Sequence, residues 1–427
     1  MKPTLIKNAR LLDPTQNKET RGDILFDEKV LAVGAELNAP EGAEIIDADG
    51  LCLAPGLIDM RVVIGEPGAE HKETFKSAGR AAAAGGVTTL IQMPNTEPVI
   101  DDQSLVDFVL RRAPARTGGV HILPAAALTR GLDGERMTEI GLLAEAGAAM
   151  FSNGDRPIVD SRVMRRALSY ATAFGVLVAH RPQDPYLSAG GVMHEGELAA
   201  KLGLPGIPAA AETIMAERDL ALAELTGGRL LLDMISSAQT LPSVKRAKDK
   251  GVKAAASVSV HHLVLNEQDV DGYRTFAKLS PPLRSEQDRL ALCGALQDGL
   301  IDVIVSGHDP RPAEDKRLPF DEAAFGAAAL ETLLPGALTL YHNGVVPLLD
   351  LIAAMTIKPA KLLGLPQGRL SKGAPADLIL FDLDKPFRLD ADKLRSKSRN
   401  SPFDGKVLQG VVMRTFAAGK AVFPAPA

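Results

Sequence analysis

Cysteine is almost missing: Cys52 and Cys293 are the only two in 427 residues. That excludes a disulfide framework and fits a reducing cytosol. A basic surplus is missing as well. The formal net charge is −5, and Lys and Arg are scattered, so neither a nucleic-acid footprint nor a basic membrane-surface patch is read. Long apolar runs are missing too. Gly, Pro or a charge breaks each one well short of the ~18 residues that a membrane span needs. The opening stretch MKPTLIKNARLLDPTQ has no apolar segment of the kind a signal peptide carries. Together these absences predict a cytoplasmic protein.

What is present is apolar mass with a rhythm. Apolar residues make up 46% of the chain, enough for a large core. At about 100–200 residues per domain the length suggests two or three domains, although an α/β barrel alone can take ~250 residues. Residues 1–53 and 366–427 read as short alternating strands punctuated by Gly and Asp, as in GDILFDEKVLAVG and ADLILFDLD. These two β-rich ends predict one small composite β-sandwich. Between them, residues 54–365 carry eight short apolar runs, among them LAPGLIDM, VTTLIQM, GVLVAH, RLLLDMI and IDVIVSG. The segments between the runs have apolar residues at helical spacing and end in Gly. Eight strand–helix units predict an α/β fold, a (β/α)8 barrel. In such a barrel the reactive residues sit at the C-terminal ends of the strands.

Several stretches have a familiar wording. PGLID, EPGAEHKETFKSAGRAAAAGGVTTLIQMPNTEPV, HEGELAAKLGLPGIPAAAE, PPLRSEQDRLAL and SPFDGKVLQG closely resemble the dihydroorotases of the amidohydrolase superfamily. The resemblance runs from about Pro55 to Val422. It implies a barrel plus a composite β-sandwich, a zinc-dependent ring-hydrolase ancestry and a place in pyrimidine biosynthesis.

The resemblance also implies a set of site residues, and most are replaced. The family's first strand carries His-x-His-x-Arg, two zinc ligands and a substrate-binding arginine. Arg61, Val63 and Gly65 stand there. Near the fourth strand the family has a carboxylate ligand, where this chain reads Phe151-Ser152-Asn153-Gly154-Asp155. The fifth strand keeps its histidine, His180, but Met234 replaces the sixth strand's. The eighth strand's ligand and general base is replaced by Gly307, within Ser306-Gly307-His308-Asp309-Pro310-Arg311. The substrate-binding Asn of MPNT survives as Asn95, and a second family Asn is replaced by Ser280.

These replacements have a physical meaning. Catalytic zinc needs three or four N, O or S ligands and an open position, and it acts by lowering the pKa of bound water. One imidazole cannot hold the ion usefully, Val63 has no donor, and the Met234 thioether suits softer metals. Arg61 brings a fixed positive charge to the place of a dication. The losses span three strands, so no single shift in register explains them. The expected catalytic set is therefore empty and no cofactor is expected. Asn95, His180 and His308 read as pocket remnants. A metal would need an unusual set such as His180, Asp155 and Asp309.

Arg61 itself must find a carboxylate, because an unpaired buried charge costs several kcal/mol. Strand alternation places Asp59, Arg61 and Val63 on one inward face, and Asp59 and Asp155 are the candidate partners. His180 reads as a hydrogen-bonded relic, and His308 as a loop or packing histidine. The pair His261-His262 reads as packing, with ring directions alternating along an extended stretch. Asn95 reads equally as a ligand contact or a turn tie. The run Arg311 to Arg317 reads as a solvated loop.

Three functions remain: a ligand sensor using the old pocket and Asn95, and two readings from different classes. The resemblance to inactive dihydroorotase-like chains implies a non-catalytic assembly partner of aspartate transcarbamoylase, in a homodimer or hetero-oligomer. The alternative is an active zinc-dependent dihydroorotase, or a hydantoinase- or allantoinase-like hydrolase, with non-standard ligands.

Overall fold

A computed structural model of the chain describes residues 2–424. Eight parallel strands form the barrel: Leu57–Val62, Val87–Gln92, His121–Ala127, Met150–Ser152, Leu177–His180, Arg229–Leu232, Ala254–Ser259 and Val303–Val305. Each of the eight apolar runs contributes one. The strands pair in chain order around the sheet. A parallel bridge between Val62 and His308 links the eighth strand's exit to the first strand. The Val63 N–H donates to the His308 carbonyl there at 2.8 Å, so the ring is nearly closed.

The strands alternate as a two-sided buried sheet requires. Leu177, Ala179, Leu231, Ala255, Val303 and Val305 join one interior cluster. Their neighbours Val178, Leu230, Leu232 and Ile304 belong to the larger cluster shared with the surrounding helices. Local signals start and stop those helices. Thr74 and Ser77 form a capping box on helix Phe75–Ala84. Asp160 caps helix Ser161–Phe174, and Gly175 ends it in the left-handed region at φ 63°.

Strands from the two ends of the chain form a second eight-stranded sheet. Thr4–Asp13 pairs with Lys18–Phe26 on one edge. Its other edge meets Glu44–Asp47 first and then Cys52–Pro55. Leu378–Arg388 pairs with Cys52–Pro55 and continues the sheet to Val407–Ala417 and Lys420–Phe423. This sheet has its own core, with Ile6, Ile24, Leu53 and Leu378 around an edge-on Phe26–Phe416 pair 5.2 Å apart. Cys52–Pro55 leads into the first barrel strand through Gly56 alone. A Cβ there would lie 2.3 Å from Thr88 Oγ1, so glycine permits this tight passage. Among the described residues no helix is long and apolar enough to cross a membrane.

Candidate functional site

The C-terminal strand ends surround a cavity of about 190 Å³. Arg61, from the first strand, is one wall of it and is only 4% exposed. Its Nη2 donates to Asp155 Oδ1 at 2.5 Å, and its Nη1 donates to Asp233 Oδ2. The same Asp155 oxygen accepts from Arg181 Nη1. Arg181 Nη2 continues to Gln183 Oε1 at 3.0 Å and to the Ser280 hydroxyl. Ser257 Oγ donates to the other Asp233 oxygen at 3.0 Å. An alternating chain of charge, Asp233–Arg61–Asp155–Arg181, thus ties the ends of the first, fourth, fifth and sixth strands together.

Burial opposes each of these charges, and the partners decide the balance. For Arg61, burial pulls the pKa down, but Asp233 and Asp155 outweigh it and hold it above its ordinary value. For Asp155, burial pushes the pKa up, but Arg61 and Arg181 outweigh it and hold the carboxyl below its usual range. Arg181 goes the other way: burial lowers its pKa and Asp155 offsets only part of that.

Asp59 is not the side-chain partner of Arg61. Its Oδ1 accepts instead from the backbone N–H groups of Arg61 and Ser306, each at 3.2 Å. The ladder between the first and second strands shifts register between Asp59 and Val62, so strict alternation does not carry through this stretch. Asp59 is fully buried, its Oδ2 has no partner, and burial pushes its pKa up to about 6.

The other expected positions separate into two groups. Arg61, Asp155, Met234, Gly307 and Asp309 share the cavity wall. His180, Asn95, Asn153, Val63, Gly65 and His308 do not line it. His180 is 1% exposed, its Nδ1 is 2.6 Å from Asp219, and its Nε2 accepts from the Ile158 N–H at 2.9 Å. The lone pair a metal would need is therefore engaged. Asn153 Oδ1 accepts from both the N–H and the hydroxyl of Thr129, each at 3.1 Å. Asn95 is half-buried with an unpartnered Oδ1 and stands beside Gly154. Val63 packs against the interior cluster. His308 Nδ1 accepts from the Ala329 N–H at 3.0 Å, and its Nε2 lies 3.4 Å from Glu73.

Two replaced positions no longer have room for the side chains they lack. A Cβ at Gly65 would lie 2.0 Å from the Ala69 carbonyl oxygen. Gly307 has φ +67°, and a Cβ there would lie 2.9 Å from Ser259 Oγ. Met234 also takes a positive φ, 57°, uncommon outside glycine, and its N–H is held by Ser257 Oγ at 2.9 Å.

Two readings of local conformation are corrected. His261 and His262 lie on a short helix, Val260–Val264, capped by Ser259, and not on an extended stretch. Both residues line the cavity. His262 Nε2 donates to the Pro281 and Pro282 carbonyls at 3.1 and 3.2 Å. Burial pushes His261 down to about 3 and His262 to about 4, so both are neutral near pH 7. The run from Arg311 to Arg317 is not simply solvated. Lys316 is 3% exposed and donates to the carbonyls of Ala324, Thr275 and Lys278. Burial lowers its pKa to about 7.

Over residues 50–240 the chain matches the family model described as dihydro-orotase-like, and over 191–422 the amidohydrolase family. It is 40% identical over 421 residues to a dihydroorotase of Syntrophus aciditrophicus, covering 98% of this chain and 99% of that one. It is 42% identical over 419 residues to one from a Wolbachia of Drosophila simulans, covering 97% and 94%. This chain belongs to the dihydroorotase family. Among solved structures, L-hydantoinase (dihydropyrimidinase) from Arthrobacter aurescens superimposes with a TM-score of 0.88 at 28% identity, covering 99% of this chain and 96% of that one.

Dihydroorotase ancestry implies a zinc centre, and the residues here do not fit one. Among the described residues, no group of three or more His, Cys, Asp or Glu side chains could hold a metal ion. Two carboxylates at the strand ends, Asp155 and Asp233, are ion-paired to Arg61. Asp233 and Arg181 were not expected from the sequence. Each directly follows a strand end, beside Leu232 and His180, and a charge there in a barrel already holding Arg61 is the signal that could have found them.

Proposed function

We propose that this chain is a non-catalytic member of the dihydroorotase family. It acts through its shape, as an assembly partner of aspartate transcarbamoylase in pyrimidine biosynthesis. The observation that carries this reading is the Arg61 network. A guanidinium paired to Asp155 and Asp233 sits among the strand ends that would present metal and substrate. Fold and site are separable, so a barrel keeps its outer surface after its site has changed. The outer helices Ser161–Phe174 and Ala210–Thr226 expose Tyr170, Phe174, Ile214 and Leu225, apolar groups of the kind that contacts cover.

The alternative ligand set of His180, Asp155 and Asp309 has little support. Asp155 and Asp309 share the cavity, but His180 lies outside its lining with both ring nitrogens engaged. The test mixes the purified chain with aspartate transcarbamoylase from the same organism. Co-elution at a larger mass, with altered carbamoyl transfer, is the expected result. Opening of the dihydroorotate ring by the chain with added zinc would overturn the non-catalytic reading. Separate elution at micromolar concentrations would overturn the partner reading.

A further inference from the structure

A second cleft lies where the terminal sheet meets the barrel. It encloses about 370 Å³ and shares no lining residue with the strand-end cavity. Its volume falls within the ~300–1,000 Å³ usual for small-molecule sites. Strands Leu378–Arg388, Val407–Ala417 and Lys420–Phe423 supply Phe387, Val412 and Phe423. Helices Phe75–Ala84 and Leu333–His342 of the barrel supply Ala84 and Pro335. These side chains make an apolar wall.

The charge on the same lining is unequal. Four cations, Lys385, Arg388, Lys393 and Arg395, stand against two carboxylates, Glu331 and Asp390. Both carboxylates are answered. Arg395 Nη1 donates to Glu331 at 2.8 Å, and Lys393 Nζ lies 3.0 Å from Asp390. Arg395 also covers the Phe423 ring, 5.0 Å from its centre. The acids just outside the lining are engaged elsewhere. Asp382 accepts from the backbone N–H groups of Asp384 and Lys385, Asp384 lies 3.9 Å from His342, and Asp392 lies 3.4 Å from Arg399. Among the described residues, Lys385 and Arg388 have no carboxylate within ion-pair distance. Arg388 Nη1 donates to the Gly405 carbonyl at 2.9 Å, which leaves its charge unanswered. A cation beside a low-dielectric wall attracts an anion more strongly than one in open water.

We propose that this cleft binds a small amphipathic anion, an apolar ring carrying one carboxylate or phosphate, with the ring on the Phe387 and Val412 wall and the charge at Arg388 and Lys385. Guanidinium forks match the oxygen pairs of both groups. The site goes beyond the assembly role and does not rest on it. A chain that docks its partner with this cleft empty leaves that role standing.

The test is isothermal titration of the full chain with phenylacetate, phenyl phosphate and neutral phenylacetamide, at fixed ionic strength. Saturable binding of at least one anion is expected. Phenylacetamide should bind about tenfold or more weakly, the worth of one charge-assisted hydrogen bond. Arg388 is exposed at a strand end, so its variants should fold. Arg388→Gln should weaken the anion about tenfold, and Arg388→Glu should abolish its binding. Arg111→Gln, on an exposed helix pair with Asp107, should leave it unchanged. Binding of phenyl phosphate alone points to a phosphorylated ligand and of phenylacetate alone to an organic acid; both support the site. Absence of saturation with both anions, equal affinity for phenylacetamide, or full affinity in Arg388→Glu would overturn it, the last by placing the anion elsewhere on the chain.

Discussion

Leu231 and Asp233 lie two residues apart at the end of the sixth barrel strand, and both are buried, at 1% and 2% exposure. They stabilise the fold in different ways. Leu231 packs into the interior cluster with Leu177, Ala255 and Val303, and its contribution scales with the apolar area removed from water. Asp233 contributes only while Arg61 and Ser257 are in place. Without them it is a buried charge with no compensation. Apolar packing degrades in proportion to what is removed, whereas a buried ion pair fails when either member is lost.

The sharpest break of this contrast is Arg61→Ala. It strands Asp233 and should cost about 3–5 kcal/mol in urea unfolding, the usual effect of breaking a buried pair. A combined Arg61→Met and Asp233→Leu variant should recover much of that loss. If the double variant is no more stable than the single, the pair is not the unit of stability. Next comes Leu231→Ala, expected to cost about 2–5 kcal/mol from lost transfer energy plus the cavity left behind. No variant at Asp233 should rescue it.

The smallest effect, and the only stabilising one, concerns Asp59. Its carboxyl is raised to about 6 by burial, so between about pH 4 and pH 6 the folded chain binds more protons than the unfolded one. The neutral acid's advantage is present below about pH 4 and is lost as pH rises to about 6. Asp59→Asn should flatten that fall and raise stability at pH 7 by up to about 3 kcal/mol, at ~1.4 kcal/mol per pKa unit. Parallel stability–pH curves for the two proteins would show that Asp59 is not the titrating group.

Much of the barrel was legible because its signals are local. Alternation such as Leu177-Val178-Ala179 and glycine stops such as Gly175 depend on residues a few positions apart. The altered strand ends were legible through the resemblance to the dihydroorotases, which implies a chemical task at the places of Arg61, Val63, Met234 and Gly307. The partners were less so. Asp155 was foreseen for Arg61, but Asp59 was assigned by an alternation that a register shift interrupts, and Asp233 was missed. His261 and His262 were placed on an extended stretch because SVSV runs straight into them. Ser259 accepts the His261 N–H at 3.3 Å and turns the chain into a helix there.

The sequence alone determined that eight apolar runs make a barrel, because periodicity is carried by neighbours in the chain, and its resemblance to the dihydroorotases placed a guanidinium where a dication's ligand would be. Only the tertiary structure decided which acids answer that guanidinium. Arg61 meets Asp155 and Asp233 across 94 and 172 positions of chain. Such a meeting depends on strand tilt and loop path, and no local pattern in the sequence encodes it.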